Sequence, residues 1–90
     1  MTTSEAESLL EFPCAFPIKA MGRNGGGFEK IVEEIVFRHA SGWNDDSVAT
    51  RPSGAGTFIS VTITVRAESR EQLDRIYQDL SDCEQVLMAL

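Results

Sequence analysis

Basic residues, histidine and cysteine are all scarce in this 90-residue chain, and each shortage removes a class of function. Eight Lys and Arg stand against 14 Asp and Glu, a net charge of −6. Such a chain repels phosphate backbones at long range, which argues against general nucleic-acid binding. His39 is the only histidine, and Cys14 and Cys83 are too far apart for a CxxC pair, so a zinc site lacks ligands. The two thiols read as reduced packing residues, because free cysteine behaves as a small hydrophobe. No apolar run approaches the roughly 20 residues that span a bilayer. The opening Met1-Thr-Thr-Ser-Glu-Ala-Glu-Ser8 is polar and acidic, unlike the basic start and apolar core of a secretory signal. The expectation is a cytoplasmic protein with no metal, cofactor, membrane or nucleic-acid partner.

What is present is enough for one folded domain. An apolar share of 42% is ordinary for a globular protein, and a charged share of 24% is too low for a disordered one. Residues 1–8 read as a flexible lead-in and 9–90 as a single domain, with Leu9 and Leu10 the first residues worth burying.

The strongest signal is the alternation from Thr57 to Ala67. Ile59, Val61, Ile63 and Val65 fall on one side, with Ser60, Thr62, Thr64 and Arg66 on the other, the period-two pattern of a half-buried strand. An earlier strand covers Phe12 to Gly22, with Cys14, Phe16, Ile18 and Ala20 inward; Pro13 and Pro17 argue that it starts near Pro17. Phe28, Ile31, Val32, Ile35 and Val36 make the stripe of a core-facing helix closed by Arg38 and His39. A weaker strand over 46–51 leads into the turn cluster Pro52–Gly56. Ser69 and Gln72 form a capping box for a second helix that buries Leu73, Ile76, Tyr77 and Leu80, and 86–90 reads as a terminal strand.

The order β-α-β-β-α-β in so short a chain predicts an α+β, ferredoxin-like fold. Its sheet has four antiparallel strands in the order 4-1-3-2, with both helices on one face. That topology gathers Arg23, Asn24, Gly25, Gly26 and Gly27 with Arg51 and Ser53 at one end of the sheet. Glycines allow close approach of a ligand, the helix start offers free N–H groups, and two arginines suit a carboxylate or phosphate. The same glycines also simply make turns, and there is no P-loop Lys-Ser/Thr nor a G-x-G-x-x-G. The solvent face of the sheet, with Lys19, Phe58, Ser60, Thr62 and Thr64, is a second candidate surface and could pair two copies. Trp43, in the loop after the first helix, reads as a contact residue or a cap on the core.

Several stretches together resemble the YbeD-like proteins, small bacterial domains of uncharacterised function. They are Phe12-Pro-Cys-Ala-Phe-Pro-Ile-Lys-Ala-Met-Gly22, Arg51-Pro-Ser-Gly-Ala-Gly56, the run from Ser60 to Asp74, and Val86-Leu-Met-Ala-Leu90. In that family the hairpin typically reads Arg-Pro-Ser-Ser-Lys-Gly; here Gly54 and Ala55 replace the second Ser and the Lys. The resemblance implies a fold similar to ACT regulatory domains, which bind small effectors near the first strand–helix turn at a dimer interface. It also implies a lipoate-related regulatory role and a protein partner in lipoate metabolism, a label that rests on association.

Three functions compete on this reading. The first is a non-enzymatic, dimeric regulatory module that binds a small carboxylate-bearing effector through Arg23, Asn24, Arg51 and Ser53. The second is a protein-interaction adaptor using the open sheet face and Trp43. The third is an acylphosphatase-like enzyme, with Arg23 on a phosphate and Asn44 orienting water. No Ser-His-Asp or Cys-His set supports other catalysis, since His39 and Cys83 fall at opposite ends.

Overall fold

The alternation read from Thr57 to Ala67 forms, from Phe58 onward, the strand around which the molecule is built. The computed structural model describes residues 11–90 and contains β1 (Cys14–Arg23), α1 (Phe28–Phe37), β2 (Val48–Ser53), β3 (Phe58–Ala67), α2 (Arg70–Ser81) and β4 (Met88–Ala89). The expected lead-in, and with it Leu9 and Leu10, lies outside the described residues. The four strands form one antiparallel sheet in the order β2-β3-β1-β4, which is 4-1-3-2 read from the other edge.

Alternate residues of the two central strands supply the floor of the core. Ile18 and Ala20 of β1 and Val61, Ile63, Val65 and Ala67 of β3 are fully buried. They meet Phe28, Val32, Ile35 and Val36 of α1 and Leu73, Ile76 and Leu80 of α2, so both helices cover the same face. Burying each of these aliphatic side chains contributes roughly 1.5–3 kcal/mol, which makes the layer the main source of stability. Cys14 and Cys83 are free, half-buried and packed against it.

The prolines fit without shortening their strands. β1 begins at Cys14, three residues before the start expected from Pro17, and Pro17 stands opposite Thr64. The Thr64 N–H and C=O bond instead to Ser47 and Trp43 on the far side of β3. Pro17 therefore turns its nitrogen toward the other edge of β1, where β4 pairs only as far as Ala20 and Leu90 bonds Lys19. No ladder donor is needed there. Pro52 lies inside β2 rather than in the turn, and β2 is an edge strand that tolerates it.

β2 starts at Val48, two residues later than the pattern suggested. Residues 44–47 close a small loop of their own: the Asp46 N–H donates to Asn44 Oδ1 and the Asn44 N–H to Ser47 Oγ. β4 is likewise shorter than the apolar run, though the Leu87 N–H still donates to the Met21 carbonyl.

Candidate functional site

Three connections meet at one end of the sheet, as the topology requires, and two hydrogen bonds fasten two of them together. The Asn24 N–H donates to the Thr57 carbonyl at 2.9 Å and its side-chain amide to the Gly56 carbonyl at 3.0 Å. Asn24 thus clamps the β1–α1 turn to the β2–β3 hairpin. The turn itself needs glycine: Gly25, Gly26 and Gly27 have φ of 111°, 66° and 72°, a region that side chains disfavour. Gly27 precedes α1 and no side chain caps the first-turn N–H groups of that helix.

Behind this turn lies an open cavity of about 380 Å³ lined by Arg23, Gly25, Gly26, Phe28, Ile31, Glu84, Gln85 and Leu87. Its floor is apolar and comes from the first turn of α1 and from Leu87. Its rim carries one cation, Arg23, and one carboxylate, Glu84. Gly22 lets the parts come this close. A Cβ there would overlap Phe28 Cε1 and stand 2.6 Å from the Gln85 carbonyl oxygen. The Cys83 thiol, adjoining the cavity through the chain, donates to Gln85 Oε1 at 3.2 Å.

Of the residues expected to act together, Arg23, Gly25 and Gly26 line this cavity, while Asn24 is engaged in the clamp and Gly27 starts the helix. Arg51 and Ser53 lie elsewhere. In register they face Ser60 and Phe58, so by alternation both stand on the sheet face away from the helices. Sequence reasoning missed Glu84, Gln85 and Leu87. The signal for them is topological: in a β-α-β-β-α-β order the α2–β4 loop falls at this same end of the sheet.

The open face holds the second candidate surface. Lys19, Ala49, Thr50, Arg51, Ser60 and Thr62 border a shallow depression of about 450 Å³. Ser60 is buried at its base, with its hydroxyl 3.4 Å from the Arg51 carbonyl. Thr64 is half-buried beyond it. At one end the Arg23 guanidinium lies 6.0 Å from the Phe58 ring centroid; at the other, Arg66 lies 5.8 Å from that of Trp43. Trp43 is 43% exposed and so does not cap the core.

The residues considered for catalysis are dispersed. The Trp43 N–H bonds Thr64, which places Asn44 beside that part of β3, whereas Arg23 faces Phe58. Six strand residues separate the two levels, roughly 20 Å. Asn44 is moreover committed to its own loop through Asp46 and Ser47. The His39 ring donates to Asp79 Oδ2 at 2.6 Å, and Arg38 reaches the same oxygen at 3.6 Å. This cluster ties the end of α1 to α2. Among the described residues no three His, Cys, Asp or Glu side chains converge as a metal site, and no helix is long and apolar enough to cross a membrane.

Comparison with known proteins gives a family and no activity. A family model described as a protein of unknown function (DUF493) matches residues 7–90. A UPF0250 protein of Leptothrix cholodnii is 49% identical over 75 residues, covering 83% of this chain and 82% of its own. One from Nitrosomonas europaea is 45% identical over 84 residues, covering 93% and 97%. Another, from Neisseria gonorrhoeae, is 43% identical over 91 residues and covers both chains fully.

Proposed function

The chain belongs to the DUF493 family, the YbeD-like proteins, and on that premise we propose that it is a small regulatory module that binds an amphiphilic monocarboxylate at the glycine turn. The observation that carries this reading is the make-up of the cavity. Phe28, Ile31 and Leu87 offer an apolar floor, and Arg23 is the single cation at the rim. A ligand with an apolar body and one carboxylate satisfies both. Its carboxylate would bind the Arg23 guanidinium and the uncapped N–H groups at the start of α1. Glu84 at the same rim opposes a second negative charge, which disfavours phosphates and dicarboxylates. Lipoate, the ligand implied by the resemblance, and octanoate have this chemistry. Binding rather than catalysis is proposed because the cavity brings together no nucleophile with a base.

A thermal-shift titration with lipoate, octanoate, amino acids and nucleotides tests it, with Arg23→Ala alongside. A ligand at a hundredfold its Kd stabilises by about 2.7 kcal/mol. At roughly 4–8 °C per kcal/mol for a domain of this size, the melting point should rise by more than about 10 °C. Arg23 is exposed, so Arg23→Ala should melt within roughly 2–4 °C of wild type and lose most of that shift. A shift with nucleotides but not carboxylates would overturn the reading, as would a carboxylate shift that Arg23→Ala leaves intact.

A further inference from the structure

The net charge of −6 conceals an uneven division of sign between the two faces of the molecule. Among the described residues no strand contains an Asp or Glu, and the strands carry four cations: Lys19, Arg23, Arg51 and Arg66. The register puts all four on the face away from the helices. Lys19 stands opposite Thr62, Arg23 opposite Phe58 and Arg51 opposite Ser60, while Arg66 alternates with buried Val65 and Ala67. The helices, by contrast, are net acidic, with Glu29, Glu33, Glu34, Glu71, Asp74 and Asp79 against Lys30, Arg70 and Arg75. Arg38, just beyond α1, pairs with Asp79, and Arg70 of α2 pairs with Asp74. Among the described residues neither Lys19 nor Arg51 has an ion-pair partner.

We propose that this open sheet face is a docking surface for an acidic, extended segment of a partner protein. Its centre is the depression that Lys19 and Arg51 flank above the hydroxyls of Ser60 and Thr62. Arg23, Arg51 and Lys19 occupy successive outward-facing levels of the sheet, at Phe58, Ser60 and Thr62, spaced about 7 Å apart. An extended peptide with carboxylates at alternate positions repeats at the same interval. Lys19 and Arg51 lie on opposite sides of β3, roughly 12 Å apart by ordinary strand spacing, so they grip such a segment from both flanks.

Other occupants fit less well. A single-stranded nucleic acid needs aromatic faces on which bases stack. Here both rings lie at the ends of the sheet, each beside an arginine, and the centre offers Met21, Ser60 and Thr62. A twofold pairing of two open faces sets four cations against four. The surface is separate from the glycine-turn cavity except at Arg23, so the test leaves Arg23 untouched.

The probe is a fluorescein-labelled decapeptide of alternating Glu and Thr, followed by fluorescence anisotropy on the full chain at low and physiological salt. The comparison probes are the same peptide with Lys in place of Glu, and a ten-nucleotide oligo-dT. Saturable binding of the acidic peptide alone is expected, weaker at higher salt. The variant Lys19→Glu/Arg51→Glu should reduce affinity at least tenfold. Lys30→Glu/Arg75→Glu, the same charge change on the helical side, should leave it within about twofold. Lys19→Gln/Arg51→Gln gives the same reading with less perturbation should the reversal unfold the domain. Tighter binding of oligo-dT, no binding of the acidic peptide, or equal loss in the helical-side variant would each overturn the proposal. So would a mass that grows with protein concentration and falls back in Lys19→Glu/Arg51→Glu, which would assign the face to a second copy.

Discussion

Gly22 shows how one missing methyl can hold a site together. It is the last residue but one of β1, inside a strand that glycine ordinarily weakens, yet any side chain there would strike the Phe28 ring and the Gln85 carbonyl. Gly22→Ala must push α1 or the loop before β4 away from β1. Overpacking of this kind costs about 1–3 kcal/mol, to be read as a lower urea midpoint with an unchanged slope. A wild-type midpoint in the variant would show that the neighbours move freely. The glycines after it differ in kind: nothing lies within 4 Å of a Cβ built on Gly25, Gly26 or Gly27, and only their backbone angles demand the residue. Glycine tolerated for space and glycine required for angle look identical in a sequence, so Gly22 passed there as the end of a strand.

At the scale of elements, the capping box at α2 was legible, and its geometry carries one addition. The Ser69 hydroxyl accepts the Gln72 N–H at 3.1 Å, as the Ser-x-x-Gln spacing implies. The Gln72 amide oxygen, however, takes the Glu68 N–H, and its nitrogen donates to the His39 carbonyl beyond the end of α1. One side chain therefore starts the second helix and holds the first. Ser69→Ala should cost about 1 kcal/mol in a denaturant melt, the usual value of an N-cap. A negligible loss would mean that Gln72 alone fixes the start of the helix. The periodic elements, β3 and both helices, were readable because burial on one face imposes a period. The beginnings of β1 and β2 were not, because their limits depend on which neighbour needs a hydrogen bond. Pro17 and Pro52 penalise a strand only where a partner waits for the N–H.

For the molecule as a whole, the apolar core and the cationic surface occupy opposite faces of one sheet. Odd-numbered residues of β3 from Val61 to Ala67 are buried under two helices, and the even-numbered ones face outward. Ile63→Asp places an unpaired carboxylate in the layer where both helices meet the sheet. It should abolish the cooperative melt and the near-ultraviolet circular dichroism at neutral pH. A folded Ile63→Asp would mean that the helices are held mainly by contacts other than this layer. The fold was therefore legible, and so was the convergence of three turns at one end. The division of charge escaped the sequence reading for a physical reason. Net charge sums over all residues, and the sign of a face emerges only when strand register sorts them.

Arg23 borders both the glycine-turn cavity and the cationic face, lining one while lying beside the Phe58 ring on the other. A single guanidinium cannot serve two anions with full strength. On the two proposals together, the surfaces would be thermodynamically linked: whatever factor a cavity ligand takes from peptide affinity, the peptide takes from ligand affinity. An antagonism built on one shared side chain needs no moving parts, and it would let the concentration of a small acid set the occupancy of a much larger partner.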